Sequence, residues 1–127
     1  MRFQLNFILF YVQKDYTMNT SFPTNSFHVS PGSYVTVIYK EEWWLAFVLS
    51  GPNNDSEFRL DFLHPKGRPN VCKQSFKFIE EGDYAEVHID DIVAPVEARL
   101  ASARSDFYYL DEKNCEKAYM SLLSRTE

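Results

Sequence analysis

The sequence predicts a mainly β protein, a small barrel or sandwich of five short strands followed by one C-terminal helix. Aromatic residues make up 17% of the chain, and such residues favour the pleated, half-buried surface of a strand. Between residues 34 and 89, short apolar or alternating segments recur about every ten residues and are separated by turn-forming residues. Helical periodicity appears only near the C-terminus.

The chain of 127 residues suits one domain with tails, and we divide it into three parts. Residues 1–29 are a leader and linker that is either disordered or contributes an extra N-terminal strand. Its apolar run, residues 3–12, is too short to span a bilayer, and Asn6 and the lack of a small-residue cleavage site disfavour a secretory signal. Residues 30–97 form the barrel, and residues 98–127 form a C-terminal tail.

Each strand is predicted from its residue types and from the turns on either side of it. The first strand follows the turn-forming Pro31-Gly32-Ser33 and is rich in β-branched and aromatic residues. The third alternates apolar with charged residues, as expected of a half-buried strand. Asp90 is placed to cap a single helical turn at residues 90–93, after which residues 94–96 end the barrel. The five strands are residues 34–39, 43–49, 57–63, 71–78 and 85–89.

The C-terminal tail contains an amphipathic helix over residues 111–123. Asp111 is a suitable N-cap, and Glu112 places a negative charge in the first turn. We expect the apolar stripe of this helix to pack on its own domain rather than on a partner. The stripe consists of Cys115, Ala118, Tyr119 and Leu122.

Charge and cysteine usage limit the partners and the location. The formal net charge of −5 favours cationic partners and disfavours nucleic acid, because phosphate backbones are bound largely by Lys and Arg. Cys72 and Cys115 have neither metal-ligand spacing nor a disulfide framework around them. We therefore expect two free thiols in a reducing compartment, which places the protein in the nucleus or the cytoplasm.

Several segments together resemble the Tudor superfamily: residues 31–39 (PGSYVTVIY), residues 43–48 (WWLAFV), Phe62 and residues 89–92 (IDDI). Trp43-Trp44 with residues 62–67 (FLHPKG) and Ser75-Phe76 further resemble an uncharacterised family of Tudor-like domains of transposon-derived and other invertebrate proteins. The chain departs from that family at two places. The family has a Trp-Pro pair where this chain has Phe78-Ile79, and the family's second Trp corresponds to a position near Glu86 in this chain. The resemblance implies a bent, five-stranded SH3/Tudor-like barrel and a chromatin or other protein-interaction role.

The resemblance also implies a ligand site. Tudor-type cages hold a methylated Lys or Arg among aromatic rings, and each ring contributes about 0.5–2 kcal/mol to binding the weakly hydrated cation. Acidic residues around the mouth of the barrel would favour such a cation; these are Glu41, Glu42, Asp61, Glu80, Glu81 and Asp83. A groove for another peptide, or simple core packing, are the alternatives for the same aromatic residues. The candidate ligand-binding residues are Tyr39, Trp44, Phe62, His64, Phe76, Phe78 and Asp61.

Two other binding classes stay open from the sequence. A nucleic-acid-binding barrel would use the aromatic residues of the 71–78 strand to stack bases within a basic cluster. That cluster consists of Lys66, Arg68, Lys73 and Lys77. A structural adaptor would instead dock the C-terminal helix onto a larger protein.

An enzyme is not expected, because His28, His64 and His88 lie in no nucleophile-base or metal-ligand motif. No cofactor, no metal and no membrane association are expected either. The oligomeric state is left open by the sequence.

Overall fold

The computed structural model describes residues 27–125. The predicted N-terminal strand would fall before this range and so lies outside the described residues. Within the range the chain forms eight strands, one 3₁₀ turn and one α-helix. In chain order these are β1 (Tyr34–Tyr39), β2 (Glu42–Ser50), β3 (Glu57–Pro65), β4 (Ser75–Phe78), β5 (Tyr84–His88), the 3₁₀ turn (Ile89–Asp91), β6 (Ile92–Val96), β7 (Ala98–Leu100), β8 (Phe107–Leu110) and α1 (Glu112–Arg125).

Five of these strands wrap into a nearly closed, barrel-like sheet. β1 pairs with β2, β2 with β3, and the first half of β3 with β5, while β6 returns to pair with β1. All of these pairings are antiparallel, and the 3₁₀ turn links β5 to β6 across the remaining opening. The mainly β architecture with one C-terminal helix, predicted from the sequence, is confirmed. The prediction of five strands was too low.

The predicted fourth strand, residues 71–78, begins later than expected and does not belong to the barrel. Only its last four residues are extended, as β4. The Gln74 side chain holds the preceding segment as a loop, because it accepts from the Gly67 N–H and donates to the carbonyls of Arg68 and Val71. β4 pairs with the second half of β3 rather than with β5.

The tail beyond residue 97 extends the same sheet. β8 pairs antiparallel with β4, and β7 pairs antiparallel with β8. Neither strand was predicted. Phe107–Leu110 is apolar and aromatic enough to be a strand, but its four residues are too few to give a clear alternation signal.

The sheet is buried on both faces, which divides the core in two. The barrel interior is filled by alternate residues of the strands, among them Val35, Ala46 and Leu60. On the outer face, helix α1 and the β4–β8 extension cover Leu45 and Leu63. Apolar residues therefore fall at consecutive positions of β2, which gives its near-continuous apolar sequence.

Helix α1 packs on the outer face of the barrel through part of the predicted stripe. Cys115, Ala118 and Leu122 are buried there. Tyr119 was wrongly included in the stripe, since 41% of its surface is exposed. Consecutive helical residues differ by about 100° in direction, so the residue after Ala118 points away from the contact. The helix begins at Glu112, directly after Asp111, as predicted.

The two cysteines form a disulfide bond, so the expectation of two free thiols was wrong. Cys72 and Cys115 are 43 positions apart in the sequence, yet their Cα atoms lie 5.8 Å apart. The sheet and helix bring them together, and no sequence spacing reveals that. Disulfides are rare in reducing compartments, so the bridge weighs against the expected nuclear or cytoplasmic location, which stays a prediction. Among residues 27–125 no helix is long and apolar enough to cross a membrane.

The turn that closes the barrel begins one residue earlier and ends two residues earlier than predicted. It is a 3₁₀ turn at Ile89–Asp91, and its cap is His88 rather than Asp90. The ring nitrogen Nδ1 of His88 accepts a hydrogen bond from the Asp90 N–H at 3.0 Å. A histidine ring thus takes the place of the Asp side chain that usually caps such a turn.

Candidate functional site

Four rings meet at one end of the barrel, and we call them the ring cluster: Tyr39, Trp44, Phe62 and His64. Tyr39 is the last residue of β1, and Trp44 lies near the start of the neighbouring β2. Phe62 and His64 are two positions apart on β3 and therefore lie on the same face of the strand. The sequence predicted these four residues as ligand-binding, and the structure brings them together.

Phe62 lies at the centre of the ring cluster. Its ring centroid is 5.1 Å from that of Tyr39 and 5.6 Å from that of Trp44. Trp44 also makes an edge-on contact with His64 at 5.0 Å. Only 2% of Phe62 is exposed, so it forms the floor, while the other three rings are half-buried around it.

Hydrogen bonds fix the orientation of two of these rings. The indole Nε1–H of Trp44 donates to the Tyr39 carbonyl at 3.2 Å. His64 Nε2 lies 2.6 Å from a carboxylate oxygen of Asp83. The backbone of Asp83 is held in turn, because its carbonyl accepts from the Phe62 N–H and its own N–H donates to the Asp61 carboxylate. A carboxylate is thereby placed beside the rings, in the loop before β5.

A cation of the chain itself already lies against the ring cluster. The Lys40 ammonium is 5.4 Å from the centroid of the Tyr39 ring. Lys40 is exposed, in the two-residue turn between β1 and β2. Solvent-borne cations can therefore reach Tyr39, and the ring face attracts them electrostatically.

The structure decides which of the two adjacent tryptophans is available to a ligand. Trp43 is 3% exposed and packs on the outer face, 5.8 Å from the ring of Phe76. Its backbone N–H donates to the Asn70 side chain. Trp44 points to the opposite side of β2 and is half-buried. Of the pair, Trp44 belongs to the ring cluster.

Phe76 and Phe78 do not join the ring cluster. Phe76 is 4% exposed in the core beneath helix α1. Phe78 is half-buried in a second group of four rings on the outer face, with Tyr34, Phe47 and Tyr108. Beside Trp44 the ring cluster is bounded by His64, which is bonded to Asp83. Of these, Asp83 entered the sequence prediction only as one of several acids near the mouth.

The second group of rings borders a groove on the outer face, and the candidate residue Asp61 lines this groove. Tyr34 and Tyr108 lie with their ring centroids 5.5 Å apart and their ring planes tilted by 41°. Burial, together with the hydrogen bond to Tyr108, raises the pKa of the Tyr34 hydroxyl above its ordinary value. The sequence did not reveal this groove, because Tyr108 belongs to the unpredicted strand β8.

All four residues of the basic cluster are exposed, and two of them lie beside carboxylates. Lys73 lies 3.8 Å from Glu112, and Lys77 lies 3.4 Å from Asp106. Lys66 extends over the ring of Phe107. Since two of its cations are paired with carboxylates and Phe76 is buried, the nucleic-acid alternative stays a prediction with less basic surface than the sequence indicated.

Within the described part of the chain, no group of three or more His, Cys, Asp or Glu residues is arranged to hold a metal ion. Comparisons of the chain with known protein families, with curated proteins and with solved structures found no match. The resemblance to Tudor-like domains therefore stays a prediction.

Proposed function

We propose that this chain is a non-enzymatic protein-interaction module whose ring cluster binds a cationic side chain of a partner peptide, with methylated Lys and methylated Arg as the best-fitting ligands. The observation that carries the proposal is the set of three half-buried rings, Tyr39, Trp44 and His64, around the buried floor of Phe62. Partner proteins with Lys- or Arg-rich tails are the natural class.

The order of strands supports assigning the barrel to the SH3/Tudor-like type. A short 3₁₀ turn precedes β6, and β6 pairs with β1 to close the barrel. This turn contains the Ile89-Asp90-Asp91 segment that carried the resemblance in the sequence. In such a barrel the ligand site lies at the ends of the first three strands, where Tyr39, Trp44 and Phe62 are found.

Binding at this site would be weak. Methylation lowers the hydration of an ammonium or guanidinium group, so the cation leaves water easily and is attracted to the negative faces of the rings. Tyr39 and Trp44 are the half-buried rings of the kinds that bind cations, and at about 0.5–2 kcal/mol each they supply at most about 4 kcal/mol, which corresponds to a Kd of about 1 mM or weaker. The Asp83 carboxylate adds attraction for any cation, methylated or not, and so contributes affinity rather than selectivity.

The proposal is tested by titrating the full chain with peptides that carry trimethyl-lysine, dimethylarginine or the unmodified residues, with tryptophan fluorescence as the readout. We expect a saturable change with a methylated peptide that is lost in Tyr39→Ala, because that variant removes one wall and keeps both tryptophans. Tyr119→Ala removes an exposed tyrosine on helix α1 and serves as the matched control. Calorimetry with Trp44→Ala then checks the second wall.

Two outcomes would refute the proposal. Equal binding by Tyr39→Ala and the wild type, with both folded by circular dichroism, would mean that the ligand does not contact the ring cluster. No response to any of the peptides would mean that these rings serve packing alone.

A further inference from the structure

The outer-face groove has no role in the proposed function. It has a volume of about 820 Å³ and lies between strands β3 and β5 on one side and β4 and β8 on the other. Asp61 belongs to this groove, whereas its neighbour Phe62 belongs to the ring cluster, because adjacent residues of a strand face opposite sides. The two sites thus lie on opposite faces of β3, joined by the loop that carries Asp83.

Aromatic side chains form the floor and one wall of the groove. Phe78 and Tyr108 meet edge to face with their centroids 5.6 Å apart. Tyr84 forms the wall and is 49% exposed. Its ring lies directly against Gly82, where a Cβ atom would approach to 2.3 Å. The absence of a side chain at Gly82 therefore leaves room for the Tyr84 ring at this position.

The charges around this aromatic surface are mainly negative. Four carboxylates and one amine line the groove: Asp61, Glu80, Glu81, Asp106 and Lys77. The amine is already paired with one of the carboxylates at 3.4 Å. Glu80 is exposed, as is Glu81, and neither forms an ion pair with another residue between 27 and 125.

The chain itself contains an example of the contact that this surface favours. The guanidinium of Arg59 lies 5.3 Å from the centroid of the Tyr84 ring. The same guanidinium is bonded to the Glu86 carboxylate at 3.2 Å. A guanidinium held between a tyrosine ring and a glutamate is thus compatible with this part of the surface. The groove offers rings and carboxylates of the same kinds, and four carboxylates face the single Lys77 amine that lines it.

We propose that the groove binds an arginine side chain of an extended partner peptide, as a second recognition site that shares no side chain with the ring cluster. Arginine fits better than lysine, because its planar guanidinium stacks on a ring while its N–H groups donate in pairs to carboxylates. The plane of the guanidinium stacks on the floor formed by Phe78 and Tyr108, and its N–H groups donate hydrogen bonds to the carboxylates of the 79–82 turn. This site does not depend on whether the ring cluster binds a methylated cation.

The test uses the full, isotope-labelled chain and three short peptides that differ at one residue type: acetyl-Gly-Arg-Gly-Arg-Gly-amide and its lysine and citrulline counterparts. Citrulline keeps the shape of arginine and removes the charge. In amide NMR spectra we expect the arginine peptide to shift the signal of Trp44 little or not at all. The signals that we expect to shift are those of Phe78, Gly82, Tyr84 and Tyr108. The lysine peptide should bind more weakly, and the citrulline peptide should produce no shifts.

Three variants separate a specific site from general attraction to an acidic protein. The double variant Glu80→Gln with Glu81→Gln should lower the affinity for the arginine peptide about 5–10-fold. Lys77→Gln should raise this affinity about 2–5-fold, because it removes the competing amine. The matched control, Glu112→Gln with Glu116→Gln, changes the same charge on exposed positions of helix α1 and should leave affinity within about 2-fold.

The proposal is overturned if the control pair weakens binding as much as the groove pair, since attraction would then be non-specific. It is also overturned if the citrulline peptide binds equally well, or if the shifts centre on Trp44. In the last case the arginine occupies the ring cluster, so failure of this inference is distinguished from failure of the proposed function.

Discussion

Removing the Cys72–Cys115 disulfide should destabilise the protein strongly. The bridge joins the loop before β4 to helix α1, and its Cys115 end is only 1% exposed within the core beneath the helix. The perturbation that removes it with least disturbance is the double variant Cys72→Ser with Cys115→Ala. Serine suits the half-buried loop position, and alanine suits the buried one because it introduces no polar group.

The magnitude follows from the length of chain that the bridge closes. The two cysteines are 43 positions apart. In the chain-entropy model, cross-linking a loop of that size restricts the unfolded state enough to stabilise the fold by about 4 kcal/mol at 25 °C. Domains of this size are stable by only about 5–15 kcal/mol in total, so the loss is a large share of the free energy of unfolding.

Guanidinium denaturation of the wild type, with and without reductant, measures this difference. We expect reductant to lower the midpoint of the wild type and to leave the double variant unchanged, which is the control for side effects of the reductant. The denaturant slope m should rise when the bridge is absent, because a chain without the cross-link exposes more surface on unfolding.

The disulfide assignment would be wrong if the native, unreduced protein released two titratable thiols after unfolding in the presence of a chromogenic thiol reagent. It would be equally wrong if reductant left the wild-type midpoint in place. Either result would restore the expectation of free thiols, and with it the argument for a reducing compartment.

Two further predictions concern single residues. Gly51→Ala should destabilise the fold by at least about 1 kcal/mol more than Gly32→Ala, because both glycines have positive φ (+127° and +89°) but only at Gly51 would a Cβ meet backbone atoms, the Phe58 Cα at 2.9 Å and the Glu57 carbonyl oxygen at 3.0 Å. Equal losses in thermal denaturation would contradict this close approach. Thr36→Val should stabilise the fold by about 1 kcal/mol, because the Thr36 hydroxyl is buried without a partner among the described residues. A lower denaturation midpoint for the variant than for the wild type would show that the hydroxyl is hydrogen-bonded.

Local sequence signals located the strands of the barrel well and those of its extension poorly. β1, β2, β3 and β5 were predicted to within two residues at each end, because each has a strong alternating or β-branched pattern. β6 was treated only as the end of the barrel, and β7 was missed. The three residues of β7, Ala98–Leu100, form a strand only because β8 lies beside them. Such short segments carry no period that a sequence can display.

The ring cluster could be predicted because its members sit at the ends of strongly patterned strands. Tyr39 ends β1, Trp44 begins β2 and Phe62 lies near the end of β3, so strand order alone brings them together. Phe76 and Phe78 were placed wrongly beside them. Their strand pairs with the far half of β3 and with β8, and that pairing carries both rings to the outer face.

The sequence by itself determined the mainly β class of this fold, four of the five barrel strands and the strand-end positions of Tyr39, Trp44 and Phe62, since all of these follow from the residue pattern of single strands. Tertiary structure alone decided which face of β2 each tryptophan occupies, that Cys72 meets Cys115, and that an acidic groove forms beside β8. The physical reason is that each of these depends on the pairing of segments far apart in the chain. Such pairing is governed by the burial of both faces of the sheet, and no local pattern of residues records it.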